Sequence, residues 1–381
     1  MTGPTALTGA RIFDGFRIQI DSALLFADDR IVGLIPADRI PTGYRTIRLA
    51  GGLLAPGFID LQINGGGGVL LNNVPTEQTM LTMAQSQVPF GVTRILPTVI
   101  SDSVEVTDQA ISAAQRCVKQ DSGVLGIHIE GPFFSGEKSG VHRADKIRAL
   151  VSSDWLWLER LAGLPSILTL APERVSAEAI ARIAALGVRI CAGHSNASSE
   201  QVVAAHEQGL SGFTHLYNAM SQLTGREPGV VGAALTLTET WAGLIADGIH
   251  VHPTSIQTAL NSKGFERIFL VSDAMATVGS PLTQFELYGE TIQLREGRLI
   301  NAQGRLAGSA ISLLDAVKYC LDTLNLPLHQ ALAMASRIPA EYMQLDHQYG
   351  SFQPGRRADI CLINDAWGID KVWRSGQAIA F

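Results

Sequence analysis

The chain has few cysteines, no long apolar run and no basic run. Its cysteines, Cys117, Cys191, Cys320 and Cys361, include no C-x-x-C pair, so neither a disulfide framework nor a thiolate metal cluster is indicated, and buried reduced thiols are expected. No stretch reaches the roughly 18 uninterrupted apolar residues of a membrane span. Residues 1–13 lack the basic segment and apolar core of a secretory signal. We therefore expect a cytoplasmic protein.

The charge balance is mildly acidic. The formal net charge is −6 and the pI is about 5.9, and no cluster of Lys or Arg forms the footprint that nucleic acid or an anionic membrane requires. We therefore expect neither as a partner. A small anionic substrate remains compatible with this charge, because two or three local groups can hold one phosphate.

The two ends of the chain have a similar pattern of short strands. With 381 residues and 46% apolar residues, the chain has room for one barrel and a small accessory domain. We predict a β-sandwich domain built from residues 1–55 and 349–381, and a catalytic barrel over 56–348. The predicted strands of the small domain are 6–13, 23–26, 31–35, 46–49, 359–363, 371–373 and 378–381.

The middle of the chain alternates strand-like apolar runs with helix-length segments. This pattern is typical of βα units around a parallel sheet. There are eight runs, the number in a (β/α)₈ TIM-type barrel, so the predicted class is α/β. The runs end near Asn64, Thr98, Glu130, Ala171, His194, His215, His250 and Asp273.

Polar residues stand at or just beyond the predicted carboxyl ends of these strands. Barrel enzymes place their chemistry at this end, so the sequence predicts an active site there. The residues concerned are Gln62, Glu130, His194, His215, His250 and Asp273.

Three of these residues have the chemistry of a metal site. Glu130, His194 and His215 supply one carboxylate and two imidazoles, the donors of a catalytic site that keeps a position open for water. Each residue alone is compatible with an isolated, locally hydrogen-bonded side chain, but the three together favour a divalent metal. Zn²⁺ suits these donors, and Fe²⁺, Mn²⁺ or Co²⁺ can also use them.

Asp273 is the predicted proton-transfer group. It ends the eighth run, so barrel closure brings it to face the metal ligands. A carboxylate there can take a proton as water attacks and then protonate a leaving amine. The alternative is a helix N-cap, a common position for Asp.

Six short motifs carry a family resemblance. They are PGFID at 56–60, HIEGP at 128–132, GHS at 193–195, HLYNAM at 215–220, DGIH at 247–250 and LAGS at 306–309. Together they resemble the N-acetylglucosamine-6-phosphate deacetylase family of the amidohydrolase superfamily, over nearly the whole chain.

This resemblance implies a role for each matched residue. Glu130, His194 and His215 match the family's metal ligands, and Asp273 matches its acid/base. His142 matches the histidine that polarises the acetyl carbonyl and stabilises the oxyanion, a role for which an imidazole donor is suited.

The resemblance also implies the substrate contacts and a homodimer. Arg226 matches an arginine that reaches the neighbouring subunit's active site, and residues 306–309 resemble a loop that closes over the substrate. The implied substrate-binding residues are Val141, His142, Asn218, Ala219, Arg226, His250, Leu306, Ala307, Gly308 and Ser309.

The first strand predicts the metal count. Many amidohydrolases carry His-x-His here, whereas this chain has Gln62 and Asn64, and neutral amides bind a second divalent ion poorly. Strand four ends in Ala171-Pro172-Glu173 and offers no lysine for a bridging carbamate. We predict one metal ion per subunit.

The implied function is metal-dependent hydrolysis of the N-acetyl group of N-acetyl-D-glucosamine 6-phosphate, which yields D-glucosamine 6-phosphate and acetate. One alternative is a deacetylase of N-acetylgalactosamine 6-phosphate or another amidohydrolase, such as a cyclic-amide hydrolase. A second alternative is a catalytically silent barrel that acts as a binding module. The presence of all three metal ligands and Asp273 disfavours the silent barrel.

Overall fold

The computed structural model describes residues 3–381. Its first strands are β1 (Thr5–Thr8), β2 (Arg11–Phe13), β3 (Ile18–Gln19), β4 (Ser22–Ala27), β5 (Arg30–Pro36), β6 (Arg45–Arg48) and β7 (Leu53–Pro56). Four of them form a sheet in the order β5-β4-β1-β6. The single strand expected at 6–13 was wrong. Gly9 interrupts it with φ 88°, where a Cβ would lie 2.5 Å from the Leu49 carbonyl oxygen.

The next ten strands build the barrel and a small hairpin at its mouth. They are β8 (Phe58–Ile63), β9 (Gly65–Gly66), β10 (Val69–Leu70), β11 (Val92–Ile100), β12 (Ile127–Glu130), β13 (Ser166–Leu170), β14 (Arg189–Ala192), β15 (Leu210–Phe213), β16 (Trp241–Leu244) and β17 (Ile268–Leu270). Strands β8 and β11 to β17 are parallel neighbours in chain order. A parallel bridge between Ile63 and Ala274 closes the ring. The predicted barrel is confirmed.

Helices cover the outside of the barrel. Serine hydroxyls begin several of them: Ser103, Ser176 and Ser198 each accept a backbone N–H three residues on, which satisfies a donor left free in the first turn. No helix within residues 3–381 is both long and apolar enough to cross a membrane. The helices are α1 (Glu77–Ser86), α2 (Val104–Val118), α3 (Trp155–Leu158), α4 (Ala177–Ala185), α5 (Ser199–Glu207), α6 (Gly229–Thr236), α7 (Pro253–Lys263), α8 (Leu313–Asp322), α9 (Leu328–Ala335) and α10 (Arg337–Tyr342).

An antiparallel sheet that we did not predict lies beside the barrel mouth. It contains β18 (Gln284–Leu287), β19 (Glu290–Arg295) and β20 (Arg298–Ile300). Phe285, Leu287 and Ile292 pack in one cluster with Met275 and Ala307. This cluster fixes the sheet, and the loop that follows it, against the carboxyl end of the barrel.

The two ends of the chain share one sheet, as expected. The last strands are β21 (Ile360–Ile363), β22 (Ile369–Arg374) and β23 (Gln377–Ile379), and the sheet order is β23-β22-β21-β7-β2-β3. Leu7, Leu24, Leu54, Ile360 and Trp373 belong to one buried cluster drawn from this sheet and the N-terminal sheet. Their shared core makes the small domain a sandwich. The division at residues 55 and 348 stays a prediction.

A buried ion pair joins the barrel to the C-terminal strands. Arg94 on β11 lies 2.5 Å from Asp359 Oδ2 through Nε and 3.1 Å from Oδ1 through Nη2. Both residues are buried.

The expected thiols are also found: all four cysteines are buried and unpaired.

Candidate active site

Most of the predicted site residues line one cavity of about 200 Å³ at the carboxyl end of the barrel. Among the predicted metal-binding, catalytic and substrate-binding residues, Arg226, Ala307 and Ser309 do not line it. The lining residues are Asn64, Ile100, Glu130, Gly140, Val141, His142, His194, His215, Asn218, Ala219, Ile245, His250, Asp273, Met275, Leu306 and Gly308.

Glu130, His194 and His215 converge at the base of this cavity. Oε1 of Glu130 lies 3.0 Å from Nε2 of each histidine, and the two Nε2 atoms are 3.0 Å apart. All three side chains are buried, and their ligand atoms lie within 4.8 Å of one another. The structure therefore brings together the three residues that the sequence predicted as ligands.

The hydrogen bonding of His194 fits a metal ion at this point. Nδ1 of His194 lies 2.8 Å from the carbonyl oxygen of Lys138. Since a carbonyl oxygen only accepts, Nδ1 carries the proton, and a neutral ring then presents a lone pair at Nε2. This lone pair points at the Glu130 carboxylate and the second imidazole. One oxygen and two nitrogen donors beside an open cavity suit a divalent cation.

Three of the predicted metal-binding and catalytic residues have left-handed backbone conformations. The φ angles are 49° at His194, 34° at His215 and 52° at Asp273, a region that side-chain-bearing residues rarely occupy. Each residue follows a barrel strand. Such strain persists only where the surroundings impose it, and it concentrates at functional sites.

Asp273 lies among groups that act in opposite directions on its pKa. Burial and the neighbouring Glu130 charge raise the pKa of Asp273 to about 6. Its Oδ1 accepts hydrogen bonds from Asn64 Nδ2 at 2.7 Å and Gln62 Nε2 at 3.1 Å. Gln62 Nε2 also lies 3.3 Å from Glu130 Oε2. Amide donors, rather than further metal ligands, therefore occupy the space between the two carboxylates.

His142 is buried beside the metal position. Its ring centroid lies 4.4 Å from that of His194, and Phe134 packs against it edge-on. Burial and the adjacent His194 hold the pKa of His142 well below its usual range. The ring is therefore neutral at pH 7.

The predicted position of His250 at a strand end was wrong. Strand β16 stops at Leu244, and His250 lies in the following loop. Asp247 holds it there: its carboxylate accepts the backbone N–H groups of Ile249 and His250 at 2.8 Å and lies 2.6 Å from Nδ1 of His250. We missed this role of Asp247, although the spacing of the DGIH motif could have indicated it.

The three predicted residues outside the cavity have different surroundings. Arg226 is exposed in the loop before α6. Ala307 and Ser309 are buried members of the 306–309 loop, and the Ser309 N–H donates to the Asp273 carbonyl oxygen at 2.9 Å. This bond ties the 306–309 loop to the backbone of Asp273.

His128, which we expected either to support the site or to be a buried, hydrogen-bonded histidine, lies on β12. Its Nε2 is 2.7 Å from Thr169 Oγ1 and its Nδ1 is 3.1 Å from the Leu61 carbonyl oxygen. Both ring nitrogens are thus used within the barrel core, and His128 does not line the cavity.

Comparisons with known proteins agree over most of the chain. The profile of the Amidohydrolase family matches residues 53–379. N-acetylgalactosamine-6-phosphate deacetylase of Shewanella sp. (strain ANA-3) is 44% identical over 335 residues, 87% of this chain and 84% of that protein. N-acetylglucosamine-6-phosphate deacetylase of Haemophilus influenzae is 33% identical over 361 residues, 94% of each chain. The crystal structure of N-acetylglucosamine-6-phosphate deacetylase from Pasteurella multocida matches with a TM-score of 0.96 at 33% identity, covering 99% of this chain and 100% of that one.

A parallel barrel with an open Glu/His/His donor set beside a buried carboxylate is the architecture of a metal-dependent hydrolase. The profile match and the relatives show that the chain belongs to the amidohydrolase family. The family implies a divalent metal, and the buried group of Glu130, His194 and His215 can bind one. The resemblance drawn from the motifs is confirmed.

Proposed function

We propose that the protein hydrolyses the N-acetyl group of N-acetyl-D-glucosamine 6-phosphate. The observation that carries this proposal is the single cavity in which three metal donors, Asp273 and His142 meet. The deacetylases named among the relatives and the solved structures support the substrate. The products are acetate and D-glucosamine 6-phosphate.

The cavity residues divide the chemistry between them. A divalent ion, when bound, supplies Lewis-acid chemistry that polarises a carbonyl and makes water more acidic. Asp273 takes a proton from the water whose oxygen adds to the acetyl carbon, and it returns that proton to the sugar nitrogen as the carbon–nitrogen bond breaks. His142 donates a hydrogen bond to the acetyl oxygen, where negative charge develops.

The proposed cofactor is one Zn²⁺ per subunit, held by Glu130, His194 and His215. Two imidazoles and one carboxylate suit zinc, although Fe²⁺, Mn²⁺ and Co²⁺ share these donors. The amide nitrogens of Gln62 and Asn64, which donate toward Glu130 and Asp273, support a mononuclear site.

Most of the proposed substrate contacts line the cavity. His250, Asn218 and Ala219 line it and are assigned to the sugar phosphate, together with Val141 and the 306–309 loop. Arg226, exposed and outside this cavity, is assigned to the partner active site of a cytoplasmic homodimer. Arg226→Ala in a dimeric enzyme should raise KM for the phosphorylated sugar and leave kcat nearly unchanged.

The direct test compares two sugars. Purified protein of measured metal content is incubated with N-acetylglucosamine 6-phosphate and with plain N-acetylglucosamine, and acetate and free amine are assayed. Release from the phosphate ester with a large preference supports the proposal. No release from either sugar by metal-loaded protein rejects the substrate.

One observation favours a second substrate, N-acetylgalactosamine 6-phosphate. The relative with 44% identity is named for that activity, whereas the Haemophilus relative, at 33%, is named for the glucosamine epimer. The epimers differ at one hydroxyl group, so the ratio of their kcat/KM values decides between them. A ratio above one for the galactosamine epimer would reassign the substrate and leave the chemistry unchanged.

A further inference from the structure

We propose that Ser101 is a positioning residue that fixes the tautomer of His142 through its backbone N–H and the orientation of the ring through its Oγ. This inference rests on the proposed function, in which His142 must donate a hydrogen bond. Ser101 follows β11, and its backbone nitrogen lies 3.3 Å and its Oγ 2.9 Å from Nδ1 of His142. Both residues are buried, so water does not replace these contacts.

The backbone contact decides which ring nitrogen carries the proton. A backbone N–H can only donate, so Nδ1 of His142 must accept from Ser101. In a neutral imidazole the single proton then lies on Nε2. The opposite tautomer would donate from Nδ1 to Ser101 Oγ and leave the buried N–H of Ser101 without an acceptor, which is costly.

This tautomer matters because the other ring nitrogen is available to a substrate. His142 lines the cavity, and within residues 3–381 no group is hydrogen-bonded to its Nε2. A protonated Nε2 can donate to a carbonyl oxygen as negative charge develops there. The reversed tautomer would present a lone pair and repel that oxygen.

The surroundings hold Ser101 in place. The Tyr288 hydroxyl, at the turn between β18 and β19, donates to the Ser101 carbonyl oxygen. A Cβ at residue 131 would lie 2.1 Å from Ser101 Oγ, so Gly131 leaves the space that this hydroxyl occupies. The unpredicted sheet therefore braces the residue that orients His142.

The test combines a spectrum with kinetics. The zinc-loaded enzyme is labelled with ¹⁵N-histidine, His142→Asn is used to assign the ring signals, and the His142 tautomer is read from its two nitrogens. Turnover of whichever hexosamine phosphate is the better substrate is measured for Ser101→Ala. Ser103→Ala is the matched control, because Ser103 caps α2 and does not touch His142.

We expect the ring to carry its proton on Nε2 in both the wild type and Ser101→Ala, because both keep the backbone N–H that donates to Nδ1. The kcat of Ser101→Ala should still fall by about 10- to 100-fold, as for the loss of other orienting partners, because the Oγ contact that holds the ring is lost, with KM little changed. Ser103→Ala should lower the thermal midpoint but keep the tautomer and kcat. A proton on Nδ1 in the wild type, or Ser101→Ala turnover within twofold of wild type, would overturn the proposal. The spectrum needs no substrate, so it tests the proposal even if the assigned sugar is wrong.

Discussion

Asn64 donates a hydrogen bond from its amide nitrogen to Oδ1 of Asp273 at 2.7 Å. The contact joins the first strand of the barrel to the residues after the last one, where the ring closes. It also fixes the carboxylate that faces the metal position. A neutral amide side chain, which binds divalent ions poorly, thus holds the proposed base.

Replacing the proposed base should separate metal binding from turnover. Asp273→Asn keeps the shape of the side chain and removes its ability to take a proton, so kcat should fall by about 10²- to 10⁴-fold. Elemental analysis should still find the metal, because Asp273 is not among the three proposed ligands. Asp322→Asn, at an exposed position at the end of α8, is the control and should leave kcat and metal content unchanged. Near-normal turnover by Asp273→Asn would end its assignment.

The kcat should fall at acidic pH. The pKa of Asp273 is raised to about 6, and the base works only when ionised, so kcat should drop about tenfold per pH unit below that pKa. A bound cation favours the ionised carboxylate and so lowers the pKa of Asp273. The acidic limb of the kcat profile should therefore lie at or below pH 6. A limb above pH 7 in a kcat profile would contradict this account.

Replacing Asn64 should shift the acidic limb of the kcat profile to higher pH. Asn64→Leu deletes a hydrogen bond to the ionised form of Asp273, so the carboxyl pKa rises and the acidic limb shifts to higher pH. The kcat at neutral pH should fall by about tenfold or more. Asn73→Leu, whose side chain binds the Glu286 carbonyl oxygen instead, should leave the limb in place. An unshifted limb in Asn64→Leu would show that this contact does not tune the base.

The buried pair of Arg94 and Asp359 should be a stability element. Arg94→Met leaves the Asp359 carboxylate buried and unpaired, which should lower the free energy of unfolding by about 3–5 kcal/mol. Arg116→Met, which breaks a half-exposed pair with Glu77, should cost at most about 1 kcal/mol. Denaturant titration measures both. Equal losses in the two variants would contradict a special role for the buried pair.

The sequence predicted the barrel, and the three residues that converge in its cavity, because both depend on local patterns. Apolar strands mark the repeating units, and polar residues mark strand ends, as at Glu130 and His215. The contact of Ser101 with His142 could not be predicted in this way, since it joins two loops through a serine that has no motif. The sheet at 284–300 was detectable: Phe285 and Leu287 alternate with exposed residues before the Tyr288-Gly289 turn. We did not consider it because the whole region was assigned to the barrel.

The most direct test is a titration of metal-free protein with Zn²⁺ while acetate release from N-acetylglucosamine 6-phosphate is followed. The account predicts no release without metal and a linear rise that stops at one equivalent per chain, because Glu130, His194 and His215 form one site. In Glu130→Gln, added Zn²⁺ should produce little or no rise in acetate release. Full activity only at two equivalents would contradict the mononuclear site, and no acetate at any loading, with zinc bound, would contradict the proposed function.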